Sequence, residues 1–440
     1  MRLAADTVLP PSIGRPAYDR ERQAAGIVHI GIGAFHRAHQ AVYTDDAMGA
    51  GDRDWGIVGV SLRSGDVAAQ LNPQGGLYTV ATRSVAGSSL RVIGAVQQVL
   101  VASEDPQAVI DAIAAPATHI VSFTVTEKGY LRAADGSLDI DAARASASLY
   151  RFVGAALAAR CAAGLPGLTL LSCDNLANNG AVLRRLMREY LAAEHRDIVD
   201  WFDGECRCPA TMIDRIVPAT TEADRAAIEG ELGVRDEGAV VTEGFSQWVI
   251  EDDFAGPRPR WEAVGAELVA DVAPYETAKL RMLNGAHSAL AYIGLGKGHE
   301  FVHQAIADPA IRPLIETLMR DEAAPTIDAE PGQDLAAYAD ALLERFANPA
   351  LHHRLIQIAM DGSQKIPQRW LETLAWHQRR GGRCPSLGVA VDAWIAFLQG
   401  GEHPVDDPLA DRLRAAAAAP DARQALFGPD GVLASEWRPD

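Results

Sequence analysis

Along residues 26–32, GIVHIGI, apolar and β-branched positions follow one another almost without polar alternation and stop at Gly33. A continuous apolar run closed by glycine is the pattern of a strand buried on both faces, as in a parallel sheet. The pattern recurs at 55–62 (WGIVGVSL), 118–126 (THIVSFTVT) and 168–172 (LTLLS), and a shorter run, RVIG at 91–94, extends the set. Between these runs the apolar spacing changes to three and four, which predicts helices over 38–50, 106–114, 142–163 and 180–193. Strand and helix in alternation predict a doubly wound α/β domain with a mainly parallel sheet. Residues 1–25 carry prolines and charges without periodicity and predict a surface arm. Beyond about residue 270 few β-branched runs remain. Helical spacing dominates there, with a first helix expected over 275–295 and breaks at Pro309, Pro313, Pro325 and Pro331. The expected organisation is an α/β domain over 1–273 and a mostly α-helical domain over 274–440.

Composition narrows the class. Hydrophobic residues make up 48% and charged residues 22% of 440 positions, enough apolar content for a core without disulfides or structural metal. The 58 acidic against 40 basic residues give a net charge of −18. That balance disfavours nucleic acid and a basic membrane-binding surface, and obliges an anionic substrate to find cations in the site itself. Five cysteines, two of them in a CxC rather than a CxxC, fit neither a disulfide framework nor a zinc site. No leader with a long apolar segment and no stretch of membrane-spanning length is present, so a cytoplasmic protein with no membrane partner is expected.

Two constellations carry chemistry. In HIGIGAFHRAHQA, Gly31 and Gly33 follow the first strand and precede a helix, with His36 where a third glycine would complete a dinucleotide fingerprint. A plain glycine turn explains the same residues equally well. Asp66, after the second strand, supplies the acid that holds ribose hydroxyls and favours NAD over NADP. Arg63 nearby runs against that preference. His36 and His39 have no acidic partner at metal-binding spacing, and no metal is expected. The second constellation is PYETAKLRMLNGAHSALAYIG. Glu276, Lys279 and His287 fall at three- and four-residue spacing on one expected helix flank, with Asn284 about one turn on. A desolvated lysine suits a general base and an amide suits a developing oxyanion. A helix-packing face with a satisfied histidine is the alternative. Polar strand ends at Thr126–Glu127–Lys128, Asp174–Asn175 and Asp214–Arg215 are where an open α/β sheet binds ligands. Gln357, Lys365 and Arg369 form a cationic stretch in QIAMDGSQKIPQR.

GIGAFHRAHQA, TVTEKGY, SCDN followed by NG, DRIVP, QWVIED, KLRMLNGAHS and DGSQKIPQR together resemble the mannitol dehydrogenase family of polyol-specific long-chain dehydrogenases, from about residue 26 to about residue 400. The resemblance implies a Rossmann-type first domain, a helical second domain, a site in the cleft between them, and metal-free hydride transfer with NAD. It implies Lys279 as the base that takes the alcohol proton, Asn175 and Asn284 as the pair holding the substrate oxygen, and His287 as a substrate-orienting residue. Asp214 falls in the substrate pocket, and Glu127 and Glu276 on a proton relay. A sugar-acid carboxylate needs a cation, and Arg369, Lys365 and Arg354 are the candidates, with no sequence rule to select among them. Gly31, Gly33, Phe35, His36, Arg37, Asp66 and Thr126 fall on the cofactor side. The mannitol branch is expected to have arginine at the Gln357 position, and QIAMDGSQK is worded more like the fructuronate reductase branch. The expected substrate is therefore a sugar acid, D-mannonate with D-fructuronate, with mannitol and fructose or a related polyol such as arabinitol as the alternative. A nucleotide-binding protein without turnover and a zinc-dependent dehydrogenase are the rivals.

Overall fold

The computed structural model describes residues 1–84, 87–133, 135–145, 147–350 and 352–439. The chain forms two compact units, Met1–Val272 and Ala273–Asp440.

The first unit contains strands β1 (Ala25–Ile30), β2 (Gly56–Ser61), β3 (Tyr78–Ser84), β4 (Gly87–Ile93), β5 (Val96–Val101), β6 (Ile120–Phe123), β7 (Thr169–Ser172), β8 (Thr211–Asp214), β9 (Val240–Glu243), β10 (Gln247–Glu251) and β11 (Glu267–Val269). Its main sheet has the order β5-β2-β1-β6-β7, and every pairing is parallel. Strand residues alternate between two apolar layers. Val28, Ile30, Val58, Val60, Val121 and Phe123 enter one, and Ile27, Ile57, Ile120 and Leu171 the other. Burial on both faces explains the near-continuous apolar runs. Helices Pro106–Ala114, Leu149–Ala162 and Asn179–Glu194 cross between strands. Residue 146, inside the expected helix 142–163, lies outside the described residues.

One expectation is corrected, and two features are added. RVIG does not extend the main sheet. It belongs to β4, which pairs antiparallel with β3 in a separate three-stranded sheet, β4-β3-β9. A third sheet, β11-β10-β8, was not foreseen. The N-terminal segment is pinned to the domain at two points: Leu3 and Ile13 are buried against Leu77, Leu90, Val92 and Leu232, and the Leu3 amide donates to the Arg235 carbonyl at 2.8 Å. Two apolar side chains withdrawn from water, each worth about 1.5–3 kcal/mol, are enough to dock such a segment.

The second unit is helical around one core. Its central helix, Gly285–Gly296, is buried at all positions from Gly285 to Leu295, as an all-round apolar helix must be. Helices Val302–Ala307, Leu355–Ile358 and Pro385–Gln399 pack around it. The buried Glu322 carboxylate accepts from the Ser386 and Leu387 amides at 2.7 and 2.8 Å and so caps the last of these helices. Among the described residues no helix is long and apolar enough to cross a membrane.

One polar group lies inside the main sheet. His29 sits on an otherwise apolar face of β1 and is fully buried. Its Nε2 is 2.8 Å from Thr124 Oγ1, whose own hydrogen goes to the Gly31 carbonyl at 2.7 Å. The Nε2 is therefore the protonated nitrogen, and Nδ1 accepts from Ser122 Oγ at 2.8 Å. The His36 ring stacks on His29 with centroids 3.4 Å apart. Burial pushes the His29 pKa down to about 3, and it pushes His36 down as well, with His29 adding to the effect. Both rings are neutral in the folded state. An unfolded histidine titrates near pH 6.5, so below that value the unfolded chain binds protons that the folded chain refuses. Stability should then fall as pH drops from about 6.5 toward 3. A thermal-melt series across this range should give a steep slope for the native chain and a shallower one for His36→Leu; equal slopes contradict the neutral stack.

Candidate active site

In the first unit the chain runs from β1 out to β5 on one side and then returns to β6 on the other side of β1. The carboxyl ends of β1 and β6 are therefore a topological switch point, where open α/β sheets bind ligands. Gly31 sits there with φ +99°, and a Cβ on it would lie 2.1 Å from the Thr124 carbonyl oxygen. Glycine at this position is demanded by the protein's own backbone. Gly33 differs. Its φ is ordinary, it is exposed, and a Cβ would meet nothing nearer than the Gly31 oxygen at 3.7 Å. No internal packing requires glycine at 33, and the open space over it fits close approach by a ligand backbone such as a pyrophosphate.

The turn after β6 is held under strain. Thr126, a β-branched residue, has φ +64° and ψ 164°. A single carboxylate grips it. Asp174 accepts from the Val125 amide at 3.1 Å, the Thr126 amide at 2.8 Å and the Tyr130 hydroxyl at 3.0 Å, and is almost fully buried. Such backbone strain costs about 1–3 kcal/mol. Hydrogen bonds to a charged group contribute about 1.5–3 kcal/mol each, so two amides donated to one carboxylate offset it. Burial raises the Asp174 pKa while these donors lower it. The clamp fixes the Thr126 turn next to the residue that follows it on β7's end, Asn175, which is exposed.

Other cofactor-side residues sit differently from expectation. The helix after the glycine turn runs only over Ala34–Ala38, breaks at His39 and resumes at Gln40–Gly49. His36 is buried under the turn against His29, and neither of its ring nitrogens forms a hydrogen bond. Arg37 is also buried. It donates to the Gly33 and Gly238 carbonyls, and its guanidinium lies 5.7 Å from the Tyr78 ring centre. Both brace the glycine turn from beneath. Phe35 is half-buried and stacks on His39 at 5.1 Å. Asp66 is not at the strand end but in the first turn of helix Asp66–Leu71, where it is exposed and accepts from Ser64 Oγ at 2.6 Å. Asp214 closes β8 and is buried, and Arg215 donates to the Ala38 and Glu243 carbonyls. Glu127 is 73% exposed, 3.9 Å from Arg132.

In the second unit the expected continuous α-helix over 275–295 is interrupted. Helix Ala273–Ala278 passes into a π-helical segment, Lys279–Asn284, before the α-helix Gly285–Gly296. The Gly285 amide donates to the Leu280 carbonyl, five residues back. At 3.6 residues per turn, Lys279 and Asn284 would point about 140° apart. The wider turn holds more residues per revolution and carries Asn284 back toward the Lys279 side. Lys279, Asn284 and Glu276 are half-buried, and His287 is buried with its ring 4.7 Å from Phe346 and 5.3 Å from His353. Burial, then the nearby His353, Arg345 and Arg369, push the His287 pKa well down, so its imidazole is neutral.

A second π segment, Pro367–Leu371, packs against the first. From it the Trp370 indole donates to the Gly285 carbonyl at 3.0 Å, and Arg369 Nη1 donates to Ser288 Oγ at 2.8 Å and the Asn284 carbonyl at 3.3 Å. Lys365 precedes it by one turn, its Nζ on the Met360 and Ile358 carbonyls at 2.5 and 3.4 Å. Burial, with Arg369 alongside, lowers the Lys365 pKa. The functional features that sequence reasoning missed are the Asp174 clamp and the Trp370 and Ser288 contacts. A positive φ at threonine leaves no mark in a sequence, whereas Asp174 stood beside Asn175 as a polar strand end.

The chain matches two family models, the mannitol dehydrogenase Rossmann domain over residues 25–263 and the mannitol dehydrogenase C-terminal domain over 271–427. It is 41% identical to the D-mannonate oxidoreductase of Escherichia coli K12, over 99% of this chain and 94% of the relative. It is 38% identical to a mannitol 2-dehydrogenase of Phaeosphaeria nodorum, over 91% and 74%. Among solved structures, the Pseudomonas fluorescens mannitol 2-dehydrogenase in ternary complex with NAD and D-mannitol matches with a TM-score of 0.82 at 36% identity, covering 98% of this chain and 93% of that one.

The clamp makes a measurable prediction. Thr126→Gly should leave stability unchanged or raised, because glycine accepts the positive φ without strain. Asp174→Ala should lower stability by about 1–3 kcal/mol through its orphaned donors. In denaturant titrations the Asp174→Ala loss should be smaller in the Thr126→Gly background; strictly additive losses contradict a carboxylate that holds strain.

Proposed function

The chain belongs to the mannitol dehydrogenase family, oxidoreductases acting on CH–OH groups, and on that premise we propose that it interconverts a secondary alcohol and a ketone on a sugar acid with NAD, D-mannonate and D-fructuronate being the leading pair. The observation that carries the reading is the π turn with Lys279 at its start and Asn284 at its end, whose width turns both residues toward one side of a half-buried helix segment.

The cofactor side fits the same reading. The open space over Gly33 accommodates a pyrophosphate, with Phe35 and Thr126 beside the turn and the exposed Asp66 carboxylate for the ribose hydroxyls. When bound, the nicotinamide accepts or returns the hydride. The chain's own residues handle the proton and the oxygen. Lys279 takes the hydroxyl proton, so that the carbinol carbon parts with hydride from an alkoxide-like state. Asn175 and Asn284 donate to that oxygen, the role of preorganised donors at a developing negative charge. His287, held neutral, orients a substrate hydroxyl by hydrogen bonding rather than by charge. Asp214 takes another hydroxyl, and Glu276 and Glu127 pass the proton outward, the exposed Glu127 being the end that meets water.

The sugar acid leads for two reasons. The identity to a D-mannonate oxidoreductase extends over nearly the whole of both chains, and Gln357 stands where the mannitol branch was expected to carry arginine. The similarity to mannitol 2-dehydrogenases, one of them solved with D-mannitol, favours a neutral polyol as the second reading. Absorbance of NADH, followed with D-fructuronate and with D-fructose under identical conditions, separates them. Faster oxidation of NADH with the uronate is expected. Turnover of fructose alone overturns the sugar acid, and turnover of no ketose or ketouronate overturns the reaction class.

A further inference from the structure

Arg369 is a cation whose charge the protein does not use. Several arginines of the second unit face carboxylates: Arg354 pairs with Glu300 at 2.7 Å, Arg281 with Glu372 at 2.8 Å and Arg423 with Asp392 at 2.7 Å. No carboxylate among the described residues pairs with Arg369. Its hydrogen bonds go to a carbonyl and a hydroxyl, and only Tyr292 partly offsets the cost of its burial, which pushes the guanidinium pKa down to about 10.

Capping the Asn284 carbonyl does not account for this charge. The neighbouring Gly285 carbonyl is capped by a neutral donor, the Trp370 indole. Withdrawing a guanidinium from water without a counter-charge is costly, and a neutral side chain of similar reach satisfies a carbonyl without that cost. Only Nη1 of Arg369 is engaged, and none of its nitrogens is among the sealed, unpartnered atoms, so the remaining donors stay open to solvent. Arg369 lies on the segment that packs against the Lys279–Asn284 turn. Lys365, four residues earlier on helix Gly362–Ile366, is a second partly desolvated cation, with Asp361 and Asp407 near enough to offset part of that cost.

We infer that Arg369, assisted by Lys365, is the site that receives the carboxylate of the sugar-acid substrate, and that this residue sets the preference for a sugar acid over a neutral polyol. The inference rests on the sugar-acid reading above and adds to it the group that recognises the acid. An anion supplies the missing counter-charge, and the planar guanidinium matches a carboxylate in geometry. In a chain of net charge −18 the surrounding field opposes the same ligand, so the local cation has to outweigh it.

The test compares kcat/KM for D-fructuronate and D-fructose in the native chain, Arg369→Gln and Arg369→Lys, with NADH binding by fluorescence titration as the check on folding. The glutamine variant should lose about 10- to 100-fold with the uronate, mostly through KM, the worth of one charge-assisted hydrogen bond. Its loss with fructose should be smaller, so that the uronate-to-fructose ratio falls at least about tenfold. The lysine variant should recover part of that ratio. Equal losses on both substrates overturn the inference, because a residue that merely caps Asn284 affects both alike, and in that case the sugar-acid reading stands. A native chain that reduces no uronate overturns the sugar-acid reading itself, and the role of Arg369 with it.

Discussion

One widened helical turn organises the second unit. Where an α-helix would carry Lys279 and Asn284 to different sides, the π segment turns them toward one side. From a second π segment Arg369 and Trp370 donate to the Asn284 and Gly285 carbonyls at its exit, and Ser288 ties the arginine back to the central helix. The apolar core then encloses that helix on all sides. The chemistry-bearing residues are thus part of the helix geometry, held by groups that a loop would not provide.

The first unit depends on an equally local constraint. Strand β1 can turn beside β6 only because Gly31 brings no side chain against the Thr124 carbonyl. The hydroxyl and imidazole chain Gly31–Thr124–His29–Ser122 then fixes that turn from inside the sheet. Asp174 does the same for the turn after β6, spending a buried carboxylate on a strained threonine backbone. Neutral histidines, a desolvated carboxylate and a positive-φ threonine gather at one end of one sheet. Such accumulated cost at a topological switch point is where a ligand site is expected.

Much of this was legible in the sequence because it follows from periodicity. The parallel strands were readable as β-branched runs, the two-part organisation as a loss of those runs, and Lys279, Asn284 and His287 as polar residues in an apolar helix. What was not legible has physical reasons. The two small sheets mix parallel and antiparallel pairing, and a strand such as β3, YTVATRS, interleaves polar with apolar residues, so no continuous apolar run marks it. The N-terminal segment is anchored by two isolated side chains, Leu3 and Ile13, too few to register as a pattern. A π turn changes the register without changing composition, which is why the apolar spacing predicted one continuous α-helix over 275–295. The burial of His36 and Arg37 under the glycine turn depends on tertiary contacts with His29, Gly238 and Tyr78, which their motif does not reveal.

The central claim is that the Lys279 amine takes the substrate proton. Its most direct test is the pH–rate profile for NAD-linked oxidation of D-mannonate by Lys279→Cys before and after aminoethylation of the cysteine, with the native cysteines first replaced so that only position 279 reacts. The alkylated side chain reproduces the length of lysine with a more acidic amine. The account predicts that the cysteine variant is nearly inactive, that alkylation restores turnover, and that the restored profile rises at lower pH than the native one. A cysteine variant with native turnover, or a restored enzyme whose profile superimposes on the native curve, contradicts Lys279 as the base.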